Sequence, residues 1–308
     1  MKPQQLTLPP GITVFVRGWL SSNNILMEGR EACALIDSGY VIDAPQTLAL
    51  VKAALAGRPL DVLANTHLHS DHCGGNAALQ NAYPALITYI PPGHSRFVSK
   101  WDPYALTYTP TGQSCPQFRF DALLTPGSEI SLGDKLWQVH AAPGHDPHSV
   151  VLFEPDARVL ISADALWERG FGVVFPELEG LDAFDAVGET IDLIESLAPS
   201  VVIPGHGSVF DGVENSIAVA RERLDNFMRN PERHVSYATK VLLKFKLLEV
   251  QSIELSTFIA WARATPYFGL IFKQHFPEMD IADWVEQLIG ELVKSGVASQ
   301  DGLMIRNA

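Results

Sequence analysis

Asn65-Thr66-His67-Leu68-His69-Ser70-Asp71-His72-Cys73-Gly74-Gly75 holds three histidines and an aspartate within six residues, in a chain of 308 that has ten histidines. The apolar run Asp61-Val62-Leu63-Ala64 before it reads as a buried strand, and Asn76-Ala77-Ala78-Leu79-Gln80 after it reads as a helix. A strand therefore delivers four potential ligands onto a loop just ahead of a helix. Imidazole is the commonest zinc ligand and also suits iron, while a carboxylate adds charge compensation. His67 and His69 alternate on extended backbone and can face one metal; Asp71 and His72, past the bend, can reach a second. A polar loop whose histidines cap the next helix is the plainer alternative, and the density of ligands outweighs it.

The pattern Thr-His-x-His-x-Asp-His-x-Gly-Gly resembles the signature of the metallo-β-lactamase superfamily. Four other stretches are similar to that family's remaining motifs, in the same order: Ala34-Leu35-Ile36-Asp37-Ser38-Gly39, Ala142-Pro143-Gly144-His145, Leu160-Ile161-Ser162-Ala163-Asp164 and Val202-Ile203-Pro204-Gly205-His206-Gly207. Ala163 stands where the family usually has glycine. The resemblance implies an α/β fold, a four-layer αββα sandwich with metals at one edge. It implies that His67, His69 and His145 hold one metal, that Asp71, His72 and His206 hold the other, and that Asp164 bridges them. Two zinc ions per chain are expected, with iron or manganese as alternatives. A hydroxide shared by the metals would be the nucleophile, with Asp71 as the proton acceptor. Asp37 is expected to steady the metal loop, though a simple Asx-type turn explains it equally well.

Hydrophobic content of 47% and charged content of 19% describe a globular protein able to bury a full core. No run of eighteen apolar residues exists, so no membrane span is expected. Met1 to Pro10 lacks the apolar core of a secretory leader. Three cysteines, Cys33, Cys73 and Cys115, make no disulfide framework and fit a reducing cytoplasm. A net charge of −13 opposes bulk attraction to nucleic acid or anionic lipid.

Residues 1–229 are expected to form the catalytic domain. Within it, 91–124 is rich in aromatic residues and proline and reads as a substrate-covering insertion with a helix near His94 to Lys100; a homodimer contact is the alternative. His148, three residues after His145, is expected beside the metals or facing substrate. Trp167, Phe171 and Phe175 follow Asp164 on an apolar loop and are expected to line a pocket. Residues 230–308 read as an appendage of three helices, at Val235 to Leu248, Ser256 to Arg263 and Ile281 to Lys294, followed by a hairpin with a Gln300-Asp301-Gly302 turn. That pattern resembles the winged-helix appendage of some enzymes of this fold. From Glu214 onward the basic and acidic side chains nearly balance, 11 against 12, so a phosphate backbone finds no excess positive charge. A pocket wall or subunit contact is the expected role.

The expected activity is hydrolysis of a small-molecule ester or thioester of hydroxyacylglutathione or lactone type. Phosphodiester cleavage by a nuclease of the same fold, a persulfide dioxygenase with one iron, and a non-catalytic metal-binding sensor are the alternatives.

Overall fold

The computed structural model describes residues 8–308; most of the N-terminal stretch searched for a leader lies outside them. Two sheets form the centre. The first contains β1 (Ile12–Phe15), β2 (Asn24–Glu28), β3 (Cys33–Ile36), β4 (Val62–Ala64), β5 (Ile87–Ile90) and β6 (Ala122–Leu123), in that spatial order. β1 to β3 form an antiparallel meander, and β3 to β6 run parallel. The second contains β7 (Glu129–Leu132), β8 (Lys135–Ala141), β9 (Val150–Glu154), β10 (Val159–Ala163) and β11 (Val201–Pro204), ordered β11-β10-β9-β8-β7.

Strand alternation sorts the side chains between layers. Ile25, Met27, Ala34 and Ile36 face Trp137, Val139, Leu152 and Ile161 across the middle of the sandwich. Leu26, Cys33 and Leu35, on the opposite face of the first sheet, pack with α1 (Ala44–Leu55) and with α3 (Asn76–Ala82), which follows the single turn α2 (Ser70–Cys73). Cys33 is thus a core residue, as its strand position suggests.

The insertion carries α4 (Ser95–Lys100) and α5 (Tyr108–Thr111), and α6 (Phe175–Leu178) follows β10. On the outer face of the second sheet, Val151, Leu160 and Val202 meet α7 (Phe184–Leu197) and α8 (Val213–Arg229) through Val187, Ile191, Ile217 and Leu224. The order helix, sheet, sheet, helix is the expected αββα sandwich.

The C-terminal region is richer than the sequence suggests. α9 (Pro231–Val250), α10 (Leu255–Ala264), α11 (Pro266–His275) and α12 (Ile281–Lys294) surround a separate core built on Leu243, Phe258, Phe268 and Trp284. A small antiparallel sheet joins β12 (Ser252–Glu254), β13 (Ala298–Asp301) and β14 (Met304–Asn307) in the order β12-β14-β13. α11 is absent from the sequence reading; it begins at Pro266, and at the first helical position proline loses no hydrogen bond that the helix needs. For the same reason α9 begins at Pro231, a turn earlier than Val235. No helix among the described residues is long and apolar enough to cross a membrane.

His234, in the first turn of α9, joins this region to the sandwich. Its ring is buried against Phe184 and Phe227, and its Nε2 accepts a hydrogen bond from the Val174 N–H at 3.0 Å. That bond requires neutral imidazole, and burial together with Arg223 pushes the pKa down to about 4. Between that value and the unfolded value near 6.5, the unfolded chain takes up a proton that the native chain refuses. The stabilisation is therefore complete above about pH 6.5 and is lost as pH falls toward 4. In urea unfolding, the stability of the wild type relative to His234→Gln is expected to fall by about 2 kcal/mol between pH 7 and pH 5. A constant difference would show that His234 takes no part in acid sensitivity.

Candidate metal centre

The candidate side chains come from loops that leave the carboxyl ends of five strands at one edge of the sandwich, the edge where ligands bind in open α/β sheets. β3 leads to Asp37, β4 to His67–His72, β8 to His145, β10 to Asp164 and β11 to His206. Asp37 is buried and sits in the left-handed region, at φ 57°. Its Oδ1 accepts the Thr66 N–H at 2.9 Å. Its Oδ2 accepts the Thr66 hydroxyl and pairs with His72 Nδ1, both at 2.8 Å. The carboxylate thus holds the metal loop by backbone and side chain together.

These bonds orient the imidazole rings. His72 Nδ1 pairs with Asp37 while its Nε2 points inward, buried and, among the described residues, without a hydrogen-bond partner. His145 Nδ1 donates to the Val173 carbonyl at 2.5 Å, which leaves Nε2 as a lone pair. His69 turns Nε2 toward Asp146, 3.8 Å away, and Nδ1 inward. His69 Nδ1 then lies 3.1 Å from His67 Nε2 and 2.8 Å from His145 Nε2. Three nitrogens converge on one point.

A second group forms beside them. Asp71 Oδ2 lies 3.2 Å from His206 Nε2 and 3.9 Å from His72 Nε2. Asp164 stands between the groups, its Oδ2 3.3 Å from His145 Nε2 and its Oδ1 3.5 Å from His72 Nε2. All seven residues expected from the sequence are therefore brought together.

The electrostatics follow from burial and crowding. Burial and the neighbouring histidines push His67 well below its ordinary value, and burial with His145 lowers His69 to about 4. Burial alone would raise Asp164, but His206, His72 and His145 hold it well below the usual carboxylate range. Buried imidazole nitrogens crowded against the Asp71 and Asp164 carboxylates are a donor set that fits a metal cation. Two glycines allow the close approach: a Cβ on Gly205 would strike Asp164 Oδ1, and one on Gly172 would fall 2.5 Å from His145 Nδ1.

Around the donors, Trp167 Nε1 donates to Asp164 Oδ1 at 3.3 Å, and the Phe175 ring meets His69 at a centroid distance of 4.9 Å. Phe171 does not line this hollow. It is buried in the core against Phe227 and under the Arg223 guanidinium, because the loop turns back onto α8 at Gly170. His148 is exposed and packs edge-on against His94, away from the converging nitrogens. Its backbone N–H bonds instead to Asp146, the residue that faces His69. Asp146 was not singled out in the sequence, although it directly follows His145. Trp19, which stacks on His206 at 5.5 Å, has no local pattern to announce it.

Most aromatic residues of the insertion face inward. Phe97, Trp101, Tyr108 and Phe118 pack with Leu68 and Cys73 of the metal loop, whereas Tyr104 is exposed. The insertion offers Thr107, Thr111 and Gln113 to the hollow. Cys115 Sγ lies 3.8 Å from Cys73 Sγ, a proximity that their separation in sequence conceals.

The family model of the metallo-beta-lactamase superfamily matches residues 17–206. The chain belongs to that superfamily. Among curated relatives, it is 29% identical over 182 residues to hydroxyacylglutathione hydrolase of Brucella anthropi, a match covering 58% of each chain. It is 27% identical over 217 residues to the human acyl-coenzyme A thioesterase MBLAC2, covering 65% of this chain and 77% of the relative. A hydroxyacylglutathione hydrolase of Anaeromyxobacter dehalogenans is 35% identical over 148 residues, 48% of this chain and 47% of that one. The matched part thus spans about half to three-quarters of these relatives' length.

Among solved structures, a metallo-beta-lactamase family protein from Thermus thermophilus aligns over 98% of this chain and all of its own, with a TM-score of 0.55 and 18% identity. A beta-lactamase domain protein from Burkholderia ambifaria covers 98% and 94%, with a TM-score of 0.60 and 20% identity. TTHA1623 in a di-iron-bound form is 27% identical, covers 68% of this chain and 96% of its own, and gives a TM-score of 0.53.

Two substitutions test the centre. Asp37→Ala leaves Thr66 N–H and His72 Nδ1 without their buried partner; it is expected to weaken metal binding by about 10- to 100-fold and to lower stability by about 1–3 kcal/mol. Metal titration and urea unfolding read the two effects. Gly205→Ala should displace the Asp164 carboxylate and reduce the metal retained per chain, as read by elemental analysis, while the circular dichroism spectrum stays that of the folded protein.

Proposed function

We propose that this protein hydrolyses a carboxylic thioester or ester at a centre of two divalent metals, zinc in the first instance and iron or manganese as alternatives. One observation carries the reading: the two oxygens of Asp164 face two separate groups of donors. The names of the relatives support a thioester-acting hydrolase in particular. His67, His69 and His145 would hold one metal, Asp71, His72 and His206 the other, with Asp164 between. Bound metal supplies an activated water and polarises the substrate carbonyl.

The chain's own residues do the rest. Asp37 and the Val173 carbonyl orient His72 and His145. Trp19, Trp167 and Phe175 border the donors and restrict bulk water. Asp71 lines the same hollow. Burial would raise its pKa, but His72 and the hydrogen bond with His206 keep it below the ordinary value. It is therefore ionised at neutral pH, able to take a proton from the attacking water and return it to the leaving sulfur or oxygen.

The test joins metal content per chain with turnover of a thioester, a lactone and a bis-aryl phosphodiester. About two metals per chain are expected, with carbonyl turnover lost on chelation and restored by zinc. Asp71→Asn is expected to lower kcat by about 10²- to 10⁴-fold; unchanged turnover at full metal occupancy would remove the proton-transfer role. Activity on phosphodiesters alone, or one iron per chain without hydrolysis, would overturn the reading.

A further inference from the structure

The hollow over the metal donors is open to solvent on one side. α9 forms its roof. Tyr237, Val241 and Phe245 recur at four-residue intervals, and Leu242 lies beside them, so one helical face meets the cavity. Val173 and Phe175 extend this apolar wall toward His69 and His145. Among the described residues, no Lys or Arg lines the hollow.

A second groove, of about 1080 Å³ including open solvent, meets the first at His69, Thr107 and Phe175. Its polar lining includes Asp146 and Glu179, and again no Lys or Arg among the described residues. Asp146 is buried, and its Oδ1 accepts the His148 backbone N–H at 2.7 Å. Glu179 accepts a hydrogen bond from the Tyr267 hydroxyl and faces solvent. A carboxylate or phosphate entering this groove meets two carboxyl side chains and, among the described residues, no Lys or Arg to pair with.

Resting on the hydrolase reading above, we propose that the acyl half of the substrate is an apolar alkyl chain or aryl ring seated against the α9 face, and that the leaving half is uncharged where it crosses the Asp146–Glu179 groove. An alkanoyl or aroyl ester of a neutral thiol or alcohol then suits this site better than a glutathione thioester, whose carrier bears carboxylates. The apolar half belongs under α9 because burying methylenes there removes them from water, whereas the acidic groove tolerates a polar neutral group. α9 is thereby assigned the part of specificity wall, not of a nucleic-acid contact.

Binding decides the proposal independently of turnover. By calorimetry on the full-length, zinc-loaded protein, octanoate is expected to bind at least about tenfold tighter than acetate, since each buried methylene contributes. Val241→Phe should lower that octanoate-to-acetate ratio by filling the wall. Phe245→Ala should shift the preferred chain toward longer acids by enlarging it, which guards against one variant failing to fold. Equal affinities for the two acids, or ratios untouched by both substitutions, would overturn the acyl-wall assignment. S-methylglutathione binding tighter than octanoate would overturn the exclusion of anionic carriers. In parallel, kcat/KM for the octanoyl thioester of N-acetylcysteamine should exceed that for octanoylglutathione, and the reverse order overturns the proposal. Should no ester or thioester of any length be turned over, the hydrolase reading fails while the binding ratios still judge the wall.

Discussion

The buried carboxylate of Asp37 is the fixed point on which the metal edge depends. It accepts from the Thr66 backbone and hydroxyl and from His72 Nδ1, and Asn65 Nδ2 lies 3.5 Å from its Oδ1. A charge in such a place is tolerated only when donors replace the water it has lost. Here the donors all belong to the stretch that carries His67 to His72. Satisfying Asp37 and setting the metal loop are therefore the same event. The left-handed backbone at Asp37, which aspartate adopts more readily than most residues, turns the carboxylate back toward β4.

The price of that order is an edge that does not satisfy itself. Among the described residues His72 Nε2 has no hydrogen-bond partner, and His69 Nδ1 is crowded between His67 Nε2 at 3.1 Å and His145 Nε2 at 2.8 Å. Such an arrangement destabilises the metal-free chain, by about 1–3 kcal/mol for each buried polar atom left unpaired. Cations convert the same atoms into bonds, so metal affinity and fold stability are linked. The packing around the centre, with Gly172 and Gly205 pressed against His145 and Asp164, keeps those atoms from relaxing apart.

What the sequence disclosed and what it withheld divide along physical lines. Strands such as β2, β3 and β9 were legible as short apolar runs between turn residues, and α1 and α7 from helical periodicity, while the sandwich itself was legible through the family resemblance. Of the seven converging side chains, His67, His69, Asp71 and His72 were legible from their density on one loop, and His145, Asp164 and His206 from the motifs that the resemblance supplies. Even the departure at Ala163 has a visible cause: its φ is 47°, a conformation that favours glycine, so the position that usually carries glycine keeps that geometry here. Phe171 went astray because an apolar loop residue can turn into the core or toward a cavity, and only the tertiary path decides which. Trp19, Asp146 and the α9 face were hidden for a related reason. Trp19 and the α9 face reach the site from distant segments, and no spacing within any one segment records the meeting; Asp146 adjoins His145, but only the fold turns it toward His69.

Those distant meetings are tied together at Tyr40. Its buried hydroxyl donates to Glu249 Oε1 near the end of α9, at 2.9 Å, and accepts the Ser114 N–H of the insertion, at 3.0 Å. Burial and the adjacent Glu249 push the phenol pKa up, so it remains a donor at any physiological pH. The Phe245 ring packs edge-on against the Tyr40 ring at 5.0 Å. One residue earlier in the insertion, Gln113 Oε1 accepts the hydroxyl of Ser70, the neighbour of Asp71. A path of direct contacts thus runs from the metal loop through the insertion to the roof helix. A roof held this way cannot swing as an independent module without breaking a buried hydrogen bond and an aromatic contact. The width of the apolar wall above the donors is consequently set by the same strand-end turn, Asp37 to Tyr40, that positions the donors below it.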